Sequence, residues 1–395
     1  MTTNQNSVPP RVGARLSRRG LIGASLAGIG AVGGLGDTAR AASTGSGHAE
    51  YTASTAGLST LADTVFDALE RHRLVALGKV HGLREHHDAL VSVLTDPRLP
   101  DLVDDIVIEG GNARFQPVAD RFVAGQAVAA AELRPLWRDS TNSPLATGDE
   151  PIYEDFIRIL RAVNWRRPNN RQVRLLLGDS PIDWSATTTP DQVLALRNGR
   201  DAFAASLIQR EVLKKGRRAL ICYGAGHVTH RAPVAQPPSQ TAAQRSSQPS
   251  SPAPDGLVSL IEQRTGRRVF SVVTLVPLAD DPGGLAARLA AYPRGVVIPT
   301  AGTWLGAFDA GNVFPIVAPG PSGRPVNVDC GVPLGALVDA GFYPGRPEDL
   351  TMSRPNPAIY LDPVYWAELQ RRNGLQGGMF DLSTPSRYAR PELRP

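Results

Sequence analysis

An α/β fold, with a mostly parallel sheet covered by helices on both faces, is the architecture this 395-residue sequence predicts. The first observation behind it is a set of short apolar runs that stop at a glycine or an acid: Leu74–Gly78, Asp105–Gly110, Val173–Gly178 and Ala219–Gly224. Continuous apolar runs bounded by glycine read as strands buried on both faces. The second observation is what separates them, longer stretches whose apolar residues recur at the three-to-four spacing of helices. Strands alternating with such stretches indicate βαβ units and a parallel sheet. With 42% hydrophobic residues, the chain has the material for a large core.

The first forty-one residues stand apart from that core. Ser17-Arg18-Arg19-Gly20-Leu21-Ile22 is a twin-arginine pattern, and a Gly/Ala-rich apolar stretch, Leu21 to Leu35, follows it. That stretch is shorter than the roughly 20 residues a membrane span needs. Ala39-Arg40-Ala41 fits a small-residue cleavage site. Residues 1–41 therefore read as a cleaved export signal, leaving a periplasmic or extracellular protein without a stable membrane anchor. Residues 42–57, small and polar, are expected to form a disordered spacer, and 58–395 one α/β domain.

Within the domain, Leu58, Leu61, Val65 and Leu69 lie at helical spacing, and the strand Leu74–Gly78 follows. A helix carrying Leu90, Val93 and Leu94 comes next, then the strand ending at Glu109. Helices are expected at 114–123, 129–137 and 153–163, before a third strand, 173–178. Thr189-Pro190-Asp191-Gln192 has an N-cap, a first-turn proline and a capping-box glutamine. The helix it opens is expected to run to Leu213, where Lys214, Lys215 and Gly216 supply a stop. The fourth strand ends at Gly224. Residues 232–254, mostly Pro, Ser, Gln and Ala, read as a disordered loop. A helix at 256–264 and a strand at 269–276 resume the alternation. Beyond about residue 300 the chain is Gly/Pro-rich, and only 363–372 reads as clearly helical there.

Charge and cysteine content narrow the partners. The net charge is +5, but the leader holds five arginines against one aspartate. Removing its +4 leaves about +1, which gives no support to a nucleic-acid or anionic-membrane partner. Cys222 and Cys330 could pair in an exported protein, although Cys222 falls inside an apolar strand and reads as a small buried hydrophobe. Oligomeric state is left open.

Two strand ends carry the same motif: Gly78-Lys79-Val80-His81 and Gly224-Ala225-Gly226-His227. Five of the seven histidines (His81, His86, His87, His227, His230) fall in these two segments. Ligands of open α/β sheets sit outside the carboxyl ends of the strands, so His81, His227 and Glu109 are expected to share one crevice. Imidazole and carboxylate suit a catalytic divalent metal ion that activates water. They equally suit metal-free hydrolysis with His81 as general base held by Glu109. Glu85, four residues after His81, is a ligand, a partner of a histidine, or a solvated first-turn acid. Asp179 and Asp183 end another strand and are further candidates, with turn formation as the alternative. No Gly-x-Ser-x-Gly elbow, phosphate loop or His-Glu-x-x-His is present.

These residues resemble the pattern of the Tiki/TraB, ChaN and erythromycin-esterase-like superfamily, over roughly residues 70–230. The Tiki/TraB resemblance implies a metal-dependent peptidase, with His81, Glu109 and His227 as metal ligands or catalytic groups. The ChaN resemblance implies haem binding through the segment holding His81, His86 and His87. Erythromycin esterases imply a histidine base opening an ester. Lys79 stands where many ChaN-like and esterase-like relatives have glutamate, and a cation there repels a metal unless it points away or pairs with an acid. The chain also looks like an uncharacterised bacterial branch of the group. The leading expectation is an exported hydrolase of an amide or ester bond in a small-molecule or peptide substrate, using a divalent metal ion and His81, Glu109 and His227, with Glu85 and Asp179 nearby. The alternative is a haem- or metal-binding protein without turnover.

Overall fold

The computed structural model describes residues 58–168, 171–230, 255–278, 280, 281, 283–314, 317–319, 325–327 and 329–385. The twin-arginine leader, the spacer and the 232–254 loop lie outside the described residues.

An eight-stranded sheet forms the centre, in the order β1-β7-β10-β6-β2-β5-β3-β4. The strands are β1 (Ser59–Thr60), β2 (Leu74–Lys79), β3 (Asp105–Asn112), β4 (Arg174–Asp179), β5 (Ala219–Gly224), β6 (Phe270–Thr274), β7 (Val296–Pro299) and β10 (Ala340–Tyr343). The six from β10 to β4 are parallel. Only β7 and β1 run antiparallel to their neighbours. β8 (Val317–Pro319) and β9 (Pro325–Asn327) make a separate ribbon. The helices of eight residues or more are α1 (Leu61–Arg71), α2 (Arg84–Thr95), α3 (Gln116–Val123), α4 (Pro151–Trp165), α5 (Pro190–Asn198), α6 (Arg200–Glu211), α7 (Leu257–Thr265) and α8 (Pro363–Leu375).

Alternation along the strands explains the two cores. Val75 and Leu77 face one side with Ile106, Leu175 and Leu177, under α1, α2, α3 and α4. Leu74 and Ala76 face the other with Val107, Leu176 and Ile221, under α6 and α7. Successive strand residues point to opposite faces, so a strand covered on both sides has to be apolar throughout. That is why the runs read from the sequence lack a polar alternation.

Two expectations change. The segment expected as one helix from Thr189 to Leu213 is two, α5 and α6, broken at Gly199. The capping box opening α5 is present, with Thr189 accepting from Gln192 N–H. The break needs no special dihedral, since Gly199 has φ −82° and ψ −6°. Its consequence is to begin a new helix at Arg200. The portion beyond residue 300, expected to be irregular, also supplies β10, which lies inside the sheet between β6 and β7. Its four residues, Ala340-Gly341-Phe342-Tyr343, are all buried, but too short and glycine-interrupted to signal a strand. Both cysteines are free, Cys222 buried and Cys330 exposed. Among the described residues no helix is long and apolar enough to cross a membrane.

Candidate functional site

The chain crosses over between β2 and β3 and later inserts β5 between them, so three carboxyl-terminal strand ends lie side by side. Register sets them at one height. Lys79 pairs with Gly224, and Ile108 pairs with Cys222, one residue before Glu109. Between Ile108 and Asn112 the β3–β4 pairing shifts register, an irregularity of the kind that re-aims a side chain at a strand end.

Each motif glycine makes room for the other motif. A Cβ on Gly78 would lie 2.7 Å from Val228 Cγ2 and 3.0 Å from Ala225 Cα, in the turn that carries His227. A Cβ on Gly224 would lie 3.1 Å from His81 Nε2 and 3.3 Å from Glu109 Oε2. The recurrence of glycine three residues before histidine is thus a mutual packing requirement.

Glu109 is the centre, 2% exposed. Its Oε2 accepts from Gly224 N–H at 2.6 Å, with Lys79 Nζ at 3.6 Å and His81 Nε2 at 3.7 Å. Its Oε1 has His227 Nε2 at 3.6 Å and Arg200 Nη2 at 3.9 Å, and no hydrogen bond. Burial pushes the Glu109 carboxyl up, but the charges of His81, Lys79, His227 and Arg200 outweigh it and hold the group well below the usual carboxylate range.

The two histidines are held differently. His227 Nδ1 lies 2.8 Å from Asp201 Oδ2, and its Nε2 lies 2.8 Å from Arg200 Nη2. A guanidinium only donates, so Nε2 accepts and the ring proton sits on Nδ1, donated to Asp201. Arg200 is buried and also donates to Asn142 Oδ1 at 2.9 Å. His81 Nδ1 meets the Tyr153 hydroxyl at 3.1 Å. Burial lowers the His81 pKa to about 4, with Lys79, Arg200 and His227 adding to the effect against Glu109. The Lys79 ammonium also sits over the Tyr153 ring, 5.2 Å from its centre.

His81, Glu109 and His227 are therefore brought together as expected. Glu85 and Asp179 are not part of the group. Glu85 accepts from Thr351 N–H at 3.0 Å and from its hydroxyl at 2.7 Å, tying the C-terminal segment to the start of α2. Asp179 is buried and accepts from Thr141 N–H at 2.5 Å and hydroxyl at 2.7 Å. Burial raises its pKa to about 6 against those bonds. It anchors the segment that holds Asn142. Asp183 shapes a turn through Ser185 and pairs with Arg114 at 2.8 Å.

The donor set does not fit the expected divalent metal ion. Two cations lie within 4 Å of its only carboxylate, and the lone pair of His227 Nε2 is taken by a guanidinium. Among the described residues no group of three or more His, Cys, Asp or Glu is arranged to hold a metal. Haem finds no better fit. His86 and His87 are 4% and 7% exposed, too enclosed to face a porphyrin plane.

Arg200, Asp201 and Tyr153 were hidden from sequence reasoning. Arg200 and Asp201 fall in the middle of the helix expected over 189–213, and only the Asn198-Gly199 pair signals the break that exposes them as a helix start. Tyr153 reads as an ordinary apolar-face residue of α4.

No family model matches the chain, and no curated protein matches it. Solved structures similar to it include the type III effector HopBA1, at 12% identity over 54% of this chain and 82% of that one, TM-score 0.32. A Bacillus cereus protein is 11% identical over 68% of this chain and 87% of its own, TM-score 0.38. ChaN of Campylobacter jejuni, whose structure shows cofacial haem binding, is 10% identical over 55% and 86%, TM-score 0.33. Likenesses this slight carry no conclusion about what this chain binds or does.

Proposed function

We propose that the chain is a hydrolase of an ester or amide bond that works without a resident metal, with His227 as its general base. The observation that carries this is the Asp201–His227 hydrogen bond at 2.8 Å, with the far ring nitrogen turned to the Glu109 cluster. A base oriented through one nitrogen by a carboxylate, with the other facing the reacting centre, is the arrangement that general-base hydrolysis needs.

In this reading the carbonyl oxygen of the substrate draws Arg200 from His227 Nε2. The freed lone pair takes a proton from water as its oxygen adds to the carbonyl carbon. Arg200 and Lys79 face the negative charge that develops on the carbonyl oxygen. The bond to the leaving oxygen or nitrogen then breaks, and the imidazolium returns its proton to that atom, giving an acid and an alcohol or amine. Glu109 keeps the two cations in place and is too weak a base to compete.

The test is a panel of nitrophenyl esters and anilides assayed with and without EDTA and phenanthroline. Activity is expected to survive chelation. Asp201→Asn is expected to lower kcat by about 10²–10⁴ with KM little changed, because the base loses its orienting partner. Activity that chelators abolish and zinc or manganese restores would overturn the metal-free reading. Unchanged kcat in Asp201→Asn would remove His227 from the role of base.

A further inference from the structure

Beside the charged cluster, on the α2/α4 side of the sheet, lies a half-open apolar cavity of about 50 Å³. Leu90 of α2, Ile108 of β3, and Phe156 and Ile157 of α4 form its walls, with Trp137. Its lining also includes Lys79 and Tyr153, which belong to the charged cluster around His81. The cavity and the proposed reaction centre thus share a wall.

Two features separate it from a packing fault. Interiors close-pack to a density that leaves few voids larger than a water. This space would take about three to five water-sized groups, since each needs roughly 10–15 Å³. Second, His86 lines it and is 4% exposed, with Nδ1 on Thr274 but Nε2 buried and without a partner. Such an orphan is costly unless something polar reaches it.

The geometry points to an acyl subsite: the cavity takes a short apolar arm of the substrate, of about three or four carbons, whose third carbon bears a hydroxyl that pairs with His86 Nε2. The proposal rests on the hydrolase reading for its chemistry, and names the substrate class of that site as short-chain hydroxyacyl esters or amides. Long or aromatic acyl groups exceed the space.

Two measurements test it. The first is binding alone, with 3-methyl-2-butanone, a ketone that has no leaving group, as a non-hydrolysed probe titrated into methyl-labelled protein. Shifts are expected at Leu90, Ile108 and Ile157, and Ile157→Phe should abolish those at Leu90 and Ile108; a titration that moves none of the three methyls in the parent overturns the subsite even if esters are cleaved. The second is the acyl series acetate, propionate, butyrate and octanoate as nitrophenyl esters. kcat/KM is expected to rise about fourfold per methylene up to butyrate and to fall at octanoate. Ile157→Phe should cut the butyrate-to-acetate ratio about tenfold. 3-Hydroxybutyrate should exceed butyrate about tenfold, and His86→Leu should erase that preference. A flat series in a protein whose methyl spectrum shows it folded overturns the proposal. If no ester is cleaved but the methyl shifts appear, the hydrolase reading fails and the cavity stands as a binding site.

Discussion

One carboxylate in this molecule answers for two cations. Glu109 lies within 4 Å of both Lys79 and Arg200, in a position where little solvent reaches any of them. Breaking a buried ion pair from one side costs far more than never having had it, because the remaining charge is left uncompensated. Glu109→Gln, nearly identical in shape, is therefore expected to destabilise the fold by about 3–5 kcal/mol, or roughly 10 °C in Tm. Adding Lys79→Met to that variant removes one stranded charge and should recover part of the loss. Differential scanning calorimetry of the two single variants and the double closes the cycle, and losses that simply add would show the charges to be independent. Lys79 was legible in the sequence as an anomaly at a position where its expected relatives carry an acid. Its reason was not, because the reason is Glu109 on another strand and Tyr153 on a helix seventy residues away. Periodicity reports which face a residue occupies, not what it meets there.

At the level of elements, the repeated Gly-x-x-His segments work as one interlocked unit. Gly78 sits against the turn of the second motif and Gly224 against the histidine of the first. The two glycines differ in what a methyl would strike, which predicts different failures. Gly78→Ala drives Cβ against the Ala225 backbone and the Val228 and Val273 side chains, an overpacking expected to cost about 1–3 kcal/mol. Gly224→Ala meets no backbone among its nearest contacts, only side-chain atoms of His81, Glu109 and His227, and should cost less stability while displacing the site. Chemical denaturation and kcat measured on both variants check this, and equal stability losses would contradict it. The strands holding these motifs were readable because burial on both faces demands unbroken apolar runs. The Gly199 break was not, since both halves keep the apolar spacing of one helix, and only packing decides that α6 restarts there. That restart delivers Arg200 and Asp201, so half of the candidate site was invisible for a reason of tertiary structure.

Across the whole molecule the parallel core was predictable and its far edge was not. β10 lies between β6 and β7 as four residues, and what holds it there is register with Val272, Val273 and Thr274 rather than any pattern of its own. The same core gives the molecule a signed response to acid. Burial lowers the His86 pKa to about 3 and that of His81 to about 4, so in the folded state both rings stay neutral where unfolded rings take up a proton. For each, stability is present in full above about pH 6.5 and is lost as pH falls toward the folded value, because the unfolded chain binds the extra proton. Asp179 and Asp329, raised to about 6, act in the opposite sense: folding favours their protonated forms, and that contribution is lost as pH rises from about 4 to 6. His86 has the larger displacement of the two histidines and no carboxylate beside it, so its contribution is the one to isolate. Between pH 6.5 and 4.5, urea unfolding should show His86→Gln losing stability less steeply than the parent, by an amount on the order of a few kcal/mol over the window. Parallel pH profiles for the two proteins would mean that His86 is protonated in the fold and that the acid response lies elsewhere.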